Sequence, residues 1–186
     1  MKQYIIIAGI NGTGKSSLRG VLEGIGQNLG YIIDADEIAK SSGYNNIEAG
    51  KRAVSEIEFC LENHLTFTQE TTLSGHRTVR TLKRARQEGY YAVMYYVGLN
   101  SVEESLARIR NRVRNGGHNI PAQDVIRRYA KRTESLKKVL PLCDKVIFFD
   151  NANGFVKAAE ITNHKFLYTN HIRPAWLSEI KEQLSL

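Results

Sequence analysis

The chain has 186 residues, of which 42% are apolar and 24% charged, the proportions of a globular protein and not of a disordered, collagen-like or coiled-coil chain. It carries 26 Lys+Arg against 19 Asp+Glu, a net charge of +7, and no apolar run long enough to span a membrane. The two cysteines, Cys60 and Cys143, lie far apart without metal-ligand spacing. That argues against a disulfide framework and a zinc site, and for the cytoplasm.

In chain order, Tyr4–Ala8 is a short apolar run that leads straight into glycines. It reads as a buried first strand and not as a targeting peptide. Further strand-like runs cover Tyr31–Ile33, Leu65–Thr68, Tyr90–Val97 and Lys145–Phe149. Helical patterns fill residues 48–63, 74–88, 101–114 and 121–139, with Ser74 as an N-cap and Gly89 as a stop. Lys165–Tyr168 offers one more strand and the Trp176 region a last helix. Alternating strands and helices predict an α/β fold built on a mainly parallel five-stranded sheet flanked by helices, as one domain over residues 1–186. Ligands of such folds bind at the carboxyl ends of the strands.

The first strand ends in Gly9-Ile10-Asn11-Gly12-Thr13-Gly14-Lys15-Ser16, a full match to G-x-x-x-x-G-K-[ST]. Glycines let backbone N–H groups wrap phosphates, and the following helix adds its positive end. Lys15 is placed for the β- and γ-phosphates and the Ser16 hydroxyl for Mg²⁺. A bound nucleoside triphosphate, ATP or GTP, with Mg²⁺ follows. Gly9, Asn11, Gly12, Thr13, Gly14, Lys15, Ser16 and Ser17 are the expected nucleotide contacts.

The second strand runs into Asp34-Ala35-Asp36. Equal parity aims both carboxylates the same way if the strand persists, so that one accepts a proton from a substrate hydroxyl; the alternative for Asp36 is a helix cap. The third strand ends in Gln69-Glu70-Thr71-Thr72-Leu73-Ser74. Here Glu70 is a candidate for metal binding through water or for a substrate hydroxyl, and Thr71 and Thr72 are further substrate candidates.

Residues 77–138 hold 15 Lys+Arg and 5 Asp+Glu, a local net charge of +10, a field that attracts polyanions. Within it Arg108 and Arg112 share one helix face and Arg110 and Arg114 another; Gly116-Gly117, His118 and Pro121 follow, then Arg127-Arg128. This pattern predicts a helical, arginine-rich lid over about 108–128 that closes on the transferring phosphoryl. Arg112, Arg114 and Arg128 are its candidate phosphate contacts, His118 a candidate substrate contact, and Asn151 a candidate neighbour of the base. The competing reading is a nucleic-acid-binding NTPase or polynucleotide kinase. The arginine helices lack the interleaved aromatics that stack bases, which makes nucleic acid the weaker partner.

Taken together, the phosphate loop, Asp34-Ala35-Asp36, Glu70-Thr71-Thr72 and the segment around Arg112, Gly116-Gly117 and Pro121 resemble the zeta-toxin-like P-loop kinases, in their small stand-alone bacterial branch, over roughly residues 4–155. The resemblance implies a P-loop NTPase fold of the nucleotide-kinase type and transfer of the γ-phosphoryl of ATP to a hydroxyl, with a sugar nucleotide such as UDP-N-acetylglucosamine as acceptor and a small antitoxin protein as partner. By position it implies Asp36 as catalytic base, Lys15 and Ser16 as phosphate and metal contacts, Glu70 and Thr72 as acceptor contacts, and Arg112 as a γ-phosphate contact. The lid is shorter than in the toxins, and their second lid arginine lacks a clean counterpart. His118 sits near its place, and Arg127 or Arg128 could substitute for it.

Overall fold

The computed structural model describes the whole chain except Ser42, Tyr44, His118 and the side chain of Asn46. Strand β1 (Gln3–Ala8) is buried on both faces. Ile5 and Ile7 point into one apolar cluster, and Tyr4, Ile6 and Ala8 into another, the period-2 alternation of a central strand. Its neighbours are β3 (Phe67–Thr71) and β4 (Tyr91–Gly98), both parallel to it. Next to β3 lies β2 (Tyr31–Asp34), and next to β4 lies β5 (Lys145–Asp150), again in parallel.

Two further strands extend the sheet. These are β6 (Val156–Thr162) and β7 (Lys165–Tyr168), both antiparallel. Among the described residues the order is β2-β3-β1-β4-β5-β6-β7, so the sheet has seven strands where the sequence suggested five. β6 escaped notice because Val-Lys-Ala-Ala-Glu-Ile-Thr breaks its apolar residues with Lys157 and Glu160, as a half-exposed strand does.

The helices divide unevenly over the sheet. Helix α1 (Lys15–Gly24) follows the phosphate loop and packs Leu18 and Leu22 against Ile5, Ile7 and Val97. The opposite face carries α3 (Asn46–Glu62), α4 (Arg77–Gln87), α7 (Arg132–Val139) and α8 (Ala175–Leu184) over one large core. A short α2 (Ala35–Ser41) follows β2 directly. Helices α5 (Val102–Arg114) and α6 (Ala122–Ala130) close a third, small core in which Ile109, Ile120 and Val125 surround Ile10 of the phosphate loop.

Three local expectations change. The pattern over 121–139 is two helices, broken at Lys131 without proline or glycine. The bend lets Val125 pack under α5 while Leu136 and Val139 reach the main core. Strand β2 ends at Asp34, and Asp36 is the second residue of α2, in its first turn, so the two carboxylates do not share a strand face. It is Asp34, through Oδ1, that accepts the α2 N–H groups of Asp36 (2.9 Å) and Glu37 (3.4 Å), the work of an N-cap. Nor is Ser74 the cap of α4: that helix starts after His76 without a side-chain cap bond, and Ser74 Oγ instead accepts the Thr72 hydroxyl at 3.0 Å.

Within the large core, α8 is anchored by Trp176, which is only 2% exposed. The indole lies flat on β4 at Gly98, where an added Cβ would meet the ring at 2.4 Å. Its Nε1 donates to Asp150 Oδ1 at 2.7 Å. Asp150 Oδ2 accepts the Ala152 N–H (3.2 Å), and Asn151 Nδ2 donates to the Thr13 carbonyl (2.8 Å). The C-terminal helix therefore braces the loop after β5, and that loop braces the phosphate loop.

Candidate active site

The phosphate loop leaves the end of β1 through three glycines of positive φ: Gly9, Gly12 and Gly14. Gly12 shows why a side chain is excluded. At φ +83 its added Cβ would stand 2.6 Å from the Ser105 carbonyl oxygen of α5. Thr13 is buried and ties its hydroxyl to the Ile10 carbonyl at 3.0 Å, while Lys15 Nζ folds back to the same carbonyl at 3.2 Å. Burial pulls the Lys15 ammonium below its ordinary value, opposed by the charges of Glu70, Asp36 and Asp34 and reinforced by Arg112. A cation so desolvated is electrostatically stronger toward an incoming phosphate than a solvated one.

Parallel register brings the ends of β2 and β3 beside this loop, pairing Asp34 with Glu70. The Ser16 hydroxyl donates to Glu70 Oε2 at 3.0 Å. Arg19, one turn further along α1, meets three carboxylates: Glu70 at 3.2 Å, Glu37 at 3.3 Å and Asp34 at 3.6 Å. Burial, then the charge of Asp34, pushes the Glu70 carboxyl up to about 7, against Arg19, Lys15 and the Ser16 hydrogen bond. Asp34 is also raised, by burial and by Asp36.

This shift has a consequence for stability. The folded protein holds the Glu70 proton more tightly than the unfolded chain, so ionising it costs stability as pH rises from the ordinary 4.5 to about 7. Relative to the parent, Glu70→Gln is therefore expected to gain stability steadily across that window and to change little above it. Thermal unfolding of both proteins as a function of pH checks this. A difference independent of pH would contradict it.

Two cavities meet at these carboxylates. The first, of about 300 Å³, is lined by Asn11, Gly12, Gly14, Lys15, Ser16, Ser17, Asp36, Glu70, Arg108, Ile109, Arg112 and Asn151. The second, of about 500 Å³, is bounded by Asp34, Asp36, Gln69, Glu70, Thr71 and Thr72 on the strand side, and by His76, Arg77, Thr78, Arg80 and Arg128 on the helix side. Asn11, Lys15, Asp36 and Glu70 line both. The exposed Asp36 side chain thus stands where the cavities join.

The expected lid residues divide. Arg112 faces the first cavity. Arg128 lines the second and donates from a guanidinium nitrogen to Asn11 Oδ1, which latches α6 to the phosphate loop. Arg108 is engaged by the Asn151 and Ala152 carbonyls and so clamps the loop after β5. Arg114 is exposed and lines neither cavity; Gly9 and Thr13 shape the loop from beneath. Thr71 Oγ1 is tied to the Leu73 N–H at 3.0 Å. His118 lies outside the described residues.

Sequence reasoning missed Arg19, Gln69, Arg77 and Arg80. Arg19 stands one helical turn after Lys15, a spacing that would have placed it on the same face. Gln69 is fixed by the Tyr4 hydroxyl, which donates to its Oε1. The arginines of α4 left no signal apart from their position just after a strand end.

A protein of Haemophilus influenzae, itself uncharacterized, is 38% identical over 128 residues, covering 66% of this chain and 89% of that one. The chain belongs to that protein's family; no family model matches it. The AvrRxo1-ORF1 chain, solved with AvrRxo1-ORF2 and ATP, superposes with a TM-score of 0.69 at 15% identity over 100% of this chain. The PezAT chromosomal toxin–antitoxin system of Streptococcus pneumoniae superposes at 0.65 and 16% identity, over 99% of this chain and 78% of that one. The fold is that of the zeta-toxin-like P-loop kinases. The chain spans 64% of the length of the AvrRxo1-ORF1 chain it matches. In this chain the phosphate loop follows β1, the middle one of the five parallel strands. Among the described residues no helix is long and apolar enough to cross a membrane.

Proposed function

We propose that the chain is an ATP-dependent small-molecule kinase that transfers the γ-phosphoryl to a substrate hydroxyl. The observation that carries this reading is the pair of cavities joined at Lys15, Asp36 and Glu70. A triphosphate in the first places its last phosphate at the junction, and a hydroxyl compound in the second meets it there.

The acceptor oxygen forms a bond to the γ-phosphorus as the bond to the β–γ bridging oxygen breaks, and ADP leaves. The proton of the hydroxyl passes to an Asp36 carboxylate oxygen. Lys15, Arg112 and Arg128 stabilise the charge on the moving phosphoryl, and arginines in this role contribute factors of about 10³ or more in rate. A magnesium ion fits the donors present, since Mg²⁺ is usually held by one or two carboxylates together with substrate phosphates. The Ser16 hydroxyl and the Glu70 carboxylate are the groups that would hold it, and it supplies neutralisation of phosphate charge. Arg19 pairs with both Glu70 (3.2 Å) and Asp34 (3.6 Å) and so offsets the charge these carboxylates bring together.

A sugar nucleotide such as UDP-N-acetylglucosamine is the acceptor the zeta-toxin-like fold suggests, with Glu70 and Thr72 as its contacts. An antitoxin protein is the partner it suggests, as PezAT is a toxin–antitoxin system. ATP is favoured over GTP by its presence with AvrRxo1-ORF1. The test is product detection: protein, Mg²⁺ and γ-labelled ATP with a panel of sugar nucleotides, nucleosides, amino sugars and 5′-hydroxyl oligonucleotides. Label in a small hydroxyl compound is expected. Label in oligonucleotides alone would favour the polynucleotide kinase reading, and label in free phosphate alone would contradict transfer.

A further inference from the structure

Side chains alternate along β3. Thr68 and Glu70 turn to one face, where Thr68 bonds the Leu29 carbonyl at 2.6 Å and Glu70 meets Ser16. Phe67 and Gln69 turn to the other, toward the large core. Gln69 is only 9% exposed, and it lines the cavity assigned to the substrate together with the apolar Ala53 and Ile57 of α3.

The Gln69 amide makes one hydrogen bond among the described residues: the Tyr4 hydroxyl donates to its Oε1. Tyr4 is fully buried, and its ring stacks on Phe67 with centroids 4.6 Å apart, which delivers the hydroxyl to a single place. Burial holds that hydroxyl well above its ordinary value, so it stays protonated and needs an oxygen to donate to. Among the described residues Gln69 Oε1 is the oxygen that takes it, and this fixes which way round the amide stands. Oε1 is occupied, and the two N–H groups of Nε2 are left without a protein partner on a residue of the cavity wall.

The core alone does not call for such a pair, since replacing both partners of a buried hydrogen bond by apolar groups of like shape is close to neutral for stability. What Tyr4 and Gln69 add is a donor of fixed orientation. The strand side of the same cavity carries the carboxylates of Asp34, Asp36 and Glu70, which accept. Gln69 gives.

We propose that Gln69 is a specificity-determining contact of the substrate, its Nε2 donating to a carbonyl or hydroxyl oxygen on the part of the molecule that lies against Ala53 and Ile57. Tyr4 is a positioning residue that acts through Gln69. The inference rests on the kinase reading for what fills the cavity. A substrate with a methyl or an ammonium at that point leaves the amide unpaired and binds more weakly.

The Tyr4→Phe/Gln69→Met double variant tests this, with the two single variants beside it. Loss of both partners should leave the fold intact, as thermal unfolding checks. Neither residue lines the nucleotide cavity, so affinity for a non-hydrolysable ATP analogue should match the parent's. For the compound labelled in the transfer assay, KM should rise about tenfold or more in the double variant, with kcat changed less. Analogues of that compound lacking one oxygen at a time locate the contact. One of them should lose about tenfold with the parent and nothing further with the variant, and the oxygen it lacks identifies a carbonyl or a hydroxyl. A pair that only supports the core would lower the unfolding temperature of the single variants and leave KM alone; an unchanged KM overturns the proposal.

A second readout needs no turnover. The Gln69 side-chain amide, assigned by its loss in Gln69→Met, is followed by NMR in the full chain filled with Mg²⁺ and the analogue, as sugar nucleotides, nucleosides and amino sugars are added in turn. At least one compound is expected to shift it; no shift with any of them overturns the proposal. If a compound shifts the amide but none is labelled, the kinase reading has failed and the Gln69 contact stands. If the double variant labels a compound with the parental KM, transfer stands and the contact falls.

Discussion

Asp36→Asn is expected to slow phosphoryl transfer by about 10²–10⁴-fold and to leave ATP affinity within about twofold of the parent. The side chain stands exposed at the junction of the two cavities, and its backbone N–H, which the substitution keeps, is the group bonded to Asp34. An amide keeps the shape and the helical position but cannot take up the hydroxyl proton. The proposed nucleotide contacts are the phosphate-loop backbone, Lys15 and Ser16, and the side chains of the last two hydrogen-bond the Ile10 carbonyl and Glu70. Single-turnover transfer and equilibrium binding of an ATP analogue separate the two effects. Transfer at near the parental rate would remove Asp36 as the base. Loss of rate and affinity together would give it a part in holding the nucleotide.

The second large effect concerns stability. Trp176→Ala should cost about 3–5 kcal/mol, the range for removing a fully buried large aromatic side chain. It empties the space above Gly98 and takes contacts from Tyr96 and Phe148, whose rings lie 5.8 and 6.4 Å from the indole. It also strips Asp150 Oδ1 of its donor. As Asp150 and the adjoining Asn151 hold the loop that braces Thr13, nucleotide affinity should fall as well. Trp176→Phe restores much of the ring volume without the N–H and should recover more stability than affinity. Denaturant unfolding measures the first quantity and nucleotide titration the second. A loss below about 1 kcal/mol, no more than that of an average point substitution, would contradict the account of α8.

The parts legible in the sequence were those in which one residue type answers one physical demand. The phosphate loop needs glycine where φ is positive, and Gly12 and Gly14 stand where it does. The central strands are buried on both faces, so Ile5-Ile6-Ile7 and the run from Tyr91 to Val97 read as continuous apolar segments. Strand β6 is buried only in part and mixes Lys157 and Glu160 into its run, which hid it. The break at Lys131 leaves no mark in residue type, since it reflects two cores that pull α6 and α7 apart.

The same division runs through the site. Lys15, Ser16, Asp36 and Glu70 were all expected near one another, and parallel register does bring their strand ends together. The exchange of roles between Asp34 and Asp36 was not visible, because it depends on where β2 stops. Arg108 and Arg112 are alike in sequence, yet one clamps a loop through the Asn151 and Ala152 carbonyls while the other faces the nucleotide cavity. Arg19 came to light only through its three carboxylates, which arrive from elsewhere in the chain.

The central claim is that donor and acceptor meet at Asp36. A structure with Mg²⁺ and a non-hydrolysable ATP analogue tests it most directly, through the position of the γ-phosphate. The account predicts the triphosphate in the cavity of about 300 Å³, with the γ-phosphate at Lys15 and open toward the cavity that Asp36 shares with Thr72 and Arg128. A γ-phosphate turned away from Asp36, or a triphosphate seated outside the phosphate loop, would contradict it.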